Sequence, residues 1–225
     1  MTRYGLIFTT IALSFLAAAA RVEGAAMGLL LWFALGFGLI AAAYLLERPQ
    51  LFGKRPNGTL APWAVVIALP VVLLNYALWT CKTLLRGEPA NHEVAPGIFV
   101  GRLPLPGDLP PGITTIVDLT SELIAHPRVR IHPGYRVYPM LDDGFVDPGE
   151  LERIVAELVD LPGAMLIHCA AGHGRSATLA AALGIARGHF SDPAQAEAAM
   201  RRIRPRIRLR RQQRERLGAW FAAQE

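Results

Sequence analysis

Apolar and polar residues are distributed along this chain in two quite different ways. Before position 90 the apolar residues come in long unbroken runs. Tyr4–Ala20 is uncharged for 17 positions, Ala25–Leu46 for 22 and Leu60–Cys81 for 22. A helix rises about 1.5 Å per residue, so roughly 20 apolar residues cross a hydrocarbon core of about 30 Å. The spacing therefore predicts two to three transmembrane helices, over about 4–20, 25–46 and 60–81, within a membrane region covering residues 1–88. The first run also has the form of a secretory signal, with Arg3 ahead of it and Ala17 to Ala20 at its end. Pro70 predicts a kink in the third helix, and Gly24-x-x-x-Gly28 marks a place for close helix packing.

Beyond Glu88-Pro89-Ala90-Asn91 the pattern shortens and alternates, giving a second domain over residues 91–225. Ile98 to Val100, Ile113 to Leu119 and Arg136 to Met140 read as strands, and Ala164 to Ile167 as a buried central strand. Pro148 opens a helix reaching Asp160, with Leu151, Ile154, Val155, Leu158 and Val159 at helical spacing. Further helices are expected over 175–187, ending at Gly188, after Ser191-Asp192-Pro193, and over 210–221. Strands alternating with helices imply an α/β fold.

Charge follows the same division. Residues 1–90 carry seven bases against three acids, residues 91–200 seven against thirteen, and residues 201–225 nine against two. The net charge of +5 is thus a property of the C-terminal end, not of the domain body. A nucleic-acid-binding domain spreads its positive charge over the contact face, and no aromatics interleave the nine arginines of 201–216. This argues against nucleic acid as a partner and for an anionic lipid surface, or simply for a solvated helix face. The positive-inside rule does not orient the chain: Arg3, Arg48, Lys54 and Arg55 on one side balance Arg21, Lys82, Arg86 and Arg102 on the other.

Two cysteines cannot build a disulfide framework. Cys81 sits in an apolar run as a small hydrophobic side chain. Cys169 opens a different segment, His168-Cys169-Ala170-Ala171-Gly172-His173-Gly174-Arg175-Ser176, between an apolar strand and a helix. Gly172 and Gly174 let the backbone turn several N–H groups toward one point, and such a nest at a helix N-terminus binds anions. Arg175 adds a planar guanidinium able to hold two phosphoryl oxygens. The same field favours the thiolate form of a cysteine placed there. Ser176 is placed to hydrogen-bond the sulfur, and His168 to orient the loop. A structural loop around an inert cysteine is the plain alternative. No metal and no cofactor is called for.

The segment resembles the signature of the cysteine-based protein tyrosine phosphatases, specifically their dual-specificity branch. The likeness extends over about residues 91–225, through Ile98-Phe99-Val100-Gly101, Ile116-Val117-Asp118-Leu119 and Arg204-Pro205. It implies a central mixed sheet flanked by helices, and hydrolysis of phosphomonoesters through a cysteinyl-phosphate on Cys169. It further implies that Ala170, Ala171, Gly172, His173, Gly174 and Arg175 bind the phosphoryl group, with Arg175 stabilising the transition state. An aspartic acid after the third strand would protonate the leaving oxygen. Asp142 has the family-like spacing; Asp143 is an alternative and Asp147 a more distant one. Inositide phosphatases of the superfamily often carry Lys or Arg inside this loop, where Ala170 and Ala171 stand here. A heavily phosphorylated inositol ring is therefore disfavoured. A phosphoprotein or a simple phospholipid headgroup stays open as substrate, as does an inactive phosphobinding module or a rhodanese-like sulfurtransferase. A reactive thiolate persists in reducing surroundings, which places the domain on the cytoplasmic face of the inner membrane.

Overall fold

The structure is a computed structural model that describes residues 3–142 and 144–224, leaving aside the side chain of Arg86. It divides into two compact units, Met1–Glu88 with Ser121–Ile124, and Pro89–Thr120 with Ala125–Glu225.

The first unit contains α1 (Arg3–Ala19), α2 (Gly24–Leu45) and α3 (Pro62–Arg86). Helices α2 and α3 are long and apolar enough to span a membrane by length and composition, while α1 is shorter. Aromatic rings join α1 to α2, with Phe15 stacked on Phe33 and Phe37 at 5.0 and 5.7 Å between centroids. The Trp32 indole N–H donates to the Val66 carbonyl at 2.7 Å, joining α2 to α3. Close packing occurs at Gly36, not at the expected Gly24 and Gly28. A Cβ on Gly36 would lie 3.2 Å from the Ile67 carbonyl oxygen and from Val71, whereas Gly24 and Gly28 face open space. Helix α3 continues through Pro70.

The second unit is a five-stranded mixed sheet flanked by helices. Its strands are β1 (Asn91–Ala95), β2 (Ile98–Gly101), β3 (Ile113–Thr120), β4 (Tyr135–Met140) and β5 (Ala164–His168). They lie in the order β1-β2-β5-β3-β4, with β1 antiparallel to β2 and every other pairing parallel. The helices are α4 (Pro127–Arg130), α5 (Pro148–Leu158), α6 (Arg175–Ala186), α7 (Pro193–Ile203) and α8 (Arg211–Ala222). Strand β1 and the single turn of α4 are additions to the sequence-based expectation, and α5 ends two residues earlier than expected.

Alternation along the strands sorts side chains between the sheet's two faces. Val117, Leu119, Met165, Ile167 and Cys169 join one core cluster with Leu151 and Ile154 of α5 and Leu179 and Leu183 of α6. Asp118 and His168 fall on the opposite face, also fully buried. Helix α6 is buried from Arg175 through Gly184 because it is apolar or small on nearly every side. Each fully buried Leu or Ile of this cluster contributes about 1.5–3 kcal/mol.

Candidate functional site

Strand β5 lies between β2 and β3 and runs parallel to both, so their C-terminal ends meet at one edge. Such an edge is where open α/β sheets hold ligands. The register sets His168 beside Gly101 of β2 and Asp118 of β3. From there the chain turns through residues 169–174 into the N-terminus of α6.

The turn is a cup built by controlling peptide planes. A planar peptide points its C=O and the following N–H in opposite directions. Four consecutive carbonyls of the loop are held from outside. Ala170 O accepts from Leu103 N at 3.4 Å, and His173 O accepts from Arg208 N at 3.1 Å. Ala171 O and Gly172 O accept from the Arg204 guanidinium at 3.4 and 3.0 Å. The N–H groups of the same peptides therefore turn to the inner side. One of them is seen doing so: Gly172 N–H donates to Cys169 Sγ at 3.2 Å. Gly172 adopts φ +77°, and a Cβ there would lie 2.5 Å from the Gly101 carbonyl carbon. Only glycine fits this close approach to the end of β2.

Cys169 is 3% exposed, and its sulfur lies 3.4 Å from Ser176 Oγ, the second residue of α6. Arg175 is buried at 2% exposure, and its Nη1 donates to Met140 O at 2.8 Å and Leu119 O at 3.4 Å. These contacts pin the guanidinium between the ends of β3 and β4. The Asp142 carboxylate, with a side chain 58% exposed, stands 3.7 Å from Arg175 Nε. Asp143 falls outside the described residues. Asp147 caps α5, accepting from Glu150 N at 2.9 Å, so its carboxylate already has a structural partner. The His168 ring lies 3.9 Å from the Asp118 carboxylate beneath the loop. Asp118 itself accepts from the Thr120 hydroxyl at 2.6 Å and the Tyr135 hydroxyl at 2.6 Å.

The structure thus brings together Cys169, Gly172, Arg175, Ser176 and Asp142, all singled out in the sequence, and adds Arg204 and Gln213. Gln213 of α8 is buried against Gly174, which would meet it at 3.1 Å if it bore a Cβ, and its side-chain amide donates to Gly144 O at 3.3 Å. It links the segment after Asp142 to the loop. Their signal in the sequence is faint: Arg204 entered only through the Arg204-Pro205 likeness, with no role attached, and Gln213 is one of two adjacent glutamines.

Residues 109–220 match the family model described as the Swiss Army Knife protein, DSP-PTPase phosphatase domain. No curated protein sequence matches the chain. Among solved structures, the human tyrosine phosphatase-like serine/threonine/tyrosine-interacting protein is 21% identical with a TM-score of 0.53, covering 61% of this chain and 99% of that one. PTPMT1 in complex with PI(5)P is 20% identical with a TM-score of 0.50, covering 60% and 96%. The G95A mutant form of Tk-PTP is 25% identical with a TM-score of 0.51, covering 60% and 96%. The first two are likenesses of fold.

Proposed function

Because residues 109–220 belong to the dual-specificity branch of the cysteine-based protein tyrosine phosphatases, we propose that this chain is a membrane-anchored phosphomonoesterase. Cys169 is its nucleophile, Arg175 its phosphate-binding cation and Asp142 its general acid. The observation that carries this reading is the sulfur of Cys169 receiving an amide N–H from its own loop, with Ser176 Oγ beside it.

The chemistry follows from those positions. A phosphoryl dianion settles on the inward amides and the Arg175 guanidinium. The Cys169 thiolate attacks phosphorus, and the bond to the ester oxygen breaks as Asp142 gives that oxygen its proton. The product alcohol leaves, and a phosphocysteine remains. Water then attacks phosphorus while Asp142 takes back a proton, and the sulfur departs as thiolate, aided by the Ser176 hydroxyl. Inorganic phosphate is released. His168 supports the loop from beneath the sheet's end and takes no part in proton transfer.

The substrate is a phosphorylated group presented at a membrane, on a phospholipid headgroup or on a protein side chain. Arg201, Arg202, Arg206 and Arg208 are exposed, with Ile203 44% exposed among them. Near an anionic bilayer each such base contributes about 1 kcal/mol, which favours the phospholipid reading. Helices α2 and α3 supply the anchor, with α1 either a third span or a signal, and the domain faces the reducing cytoplasm. Digestion of the C-terminal domain from outside intact spheroplasts would overturn that placement.

The test is a substrate panel on the detergent-solubilised full chain. Wild type should hydrolyse p-nitrophenyl phosphate and a phospholipid phosphomonoester in mixed micelles, and Cys169→Ser should hydrolyse neither. Turnover of phosphopeptides alone would assign the substrate to protein. Binding of phosphorylated ligands without any turnover would make the domain a recruiting module and defeat the enzyme reading.

A further inference from the structure

We propose that Arg204 is the positioning residue of the phosphate-binding loop, setting the peptide planes that aim its amides without itself touching substrate. The inference rests on the phosphatase reading above and names a residue on which that site depends.

Arg204 lies just beyond α7 and is 1% exposed despite its charge. Burying a guanidinium is costly unless its donors are used. Here Nε donates to Gly172 O at 3.0 Å and Nη2 to Ala171 O at 3.4 Å. Nη1 donates to Pro89 O at 3.0 Å and lies 2.9 Å from His92 Nδ1. A guanidinium has no acceptor to offer, so His92 receives the bond on an unprotonated Nδ1. The side chain thus ties two consecutive loop carbonyls to the segment entering β1.

Those two carbonyls decide where two amides point. The 171–172 peptide carries the N–H that reaches Cys169 Sγ, and the 172–173 peptide carries the next one. Gly172 sits between them and lacks the Cβ that would otherwise restrict its backbone. A peptide next to a glycine turns over readily, and a reversed peptide would aim a carbonyl dipole at the phosphoryl group. The glycine required for close packing on Gly101 therefore leaves the loop in need of an external restraint. The neighbouring carbonyls of Ala170 and His173 are held by backbone amides, which no side-chain change removes. Arg204 thus offers a side chain through which the planes of the two middle peptides can be changed.

The experiment compares wild type with Arg204→Met and Arg204→Lys as full chains in detergent. It measures tungstate affinity by calorimetry, kcat and KM with p-nitrophenyl phosphate, and folding by circular dichroism at the assay temperature. Arg204→Met should bind tungstate about 100-fold more weakly and lose kcat to a similar degree while folded, since loop amides no longer converge. Arg204→Lys, a point cation in place of a fork, should recover part of this, to a loss of about tenfold. A merely structural residue would lower the unfolding temperature and leave oxyanion affinity of the folded protein untouched. Folded Arg204→Met within about twofold of wild-type tungstate affinity overturns the proposal; if that variant does not fold, Arg204→Lys decides it by the same criterion. A wild type that binds tungstate but hydrolyses no phosphomonoester would defeat the phosphatase reading and leave the Arg204 comparison intact.

Discussion

Replacing Gly172 with Ala adds one methyl group at the tightest point of the loop. The residue has φ +77°, where an L side chain costs about 1–2 kcal/mol. The new Cβ would also lie 2.5 Å from the Gly101 carbonyl carbon, and 2.7 Å from both the Gly101 oxygen and the Arg102 nitrogen. All three are backbone atoms at the end of β2, held by its pairing with β5, and none can swing aside as a side chain would. Overpacking of this kind costs about 1–3 kcal/mol. The two costs together give roughly 2–5 kcal/mol. For a domain of this size, about 4 °C per kcal/mol puts the fall in unfolding temperature at roughly 8–20 °C. Thermal unfolding of the solubilised full chain, followed by near-ultraviolet circular dichroism, measures it. Gly107→Ala is the control: a Cβ there meets nothing within 4 Å and its φ is not positive, so its unfolding temperature should stay at the wild-type value. A Gly172→Ala variant as stable as this control would refute the close approach of loop and strand.

Asp142→Asn should lower kcat by about 10²–10⁴-fold on substrates with poor leaving groups, while Asp143→Asn stays near wild type; the reverse ranking would move the acid to Asp143. Glu197 sets a pH dependence. Burial pushes its carboxyl up, but the Arg214 fork at 2.9 and 2.8 Å and the Leu209 amide outweigh this and hold it below the usual range. The stability it contributes is present above the ordinary glutamate value of about 4.3 and is lost as pH falls through the lowered folded value. Glu197→Gln should therefore show a smaller loss of stability over that window than wild type in acid titrations of the unfolding midpoint. Arg187 donates to Val159, Leu158 and Leu161 carbonyls at 2.9–3.2 Å where α5 ends. Arg187→Ala should cost about 1.5–3 kcal/mol in denaturant unfolding, and a variant at wild-type stability would show those bonds to be replaceable by water.

The reactive loop was legible in the sequence because its parts are contiguous. Cys169, the two glycines, Arg175 and Ser176 act across eight positions, so spacing alone carries their geometry. The central strand β5 was legible for a different reason: buried on both faces, it reads as the apolar run Ala164 to Ile167. Strand β1 was not, because Asn91-His92-Glu93 at a sheet edge needs no apolar face and takes its order from pairing with β2. Arg204 stood out only as part of the Arg204-Pro205 pair that shares in the family likeness, and its role did not. Its burial comes from contacts 32 and 115 residues away along the chain. Gly36 makes the same point for the helices, since a spacing rule chose Gly24 and Gly28 while the approach of α3 falls elsewhere.

The account's central claim is a covalent bond between Cys169 and phosphorus during turnover. It is tested most directly by mixing the Asp142→Asn variant with a phosphate-labelled aryl ester, quenching in acid within milliseconds and locating the label by mass spectrometry. The account predicts phosphate on the peptide containing Cys169, and none in a Cys169→Ser counterpart. Turnover that leaves Cys169 unlabelled, or that survives its replacement by serine, would contradict it.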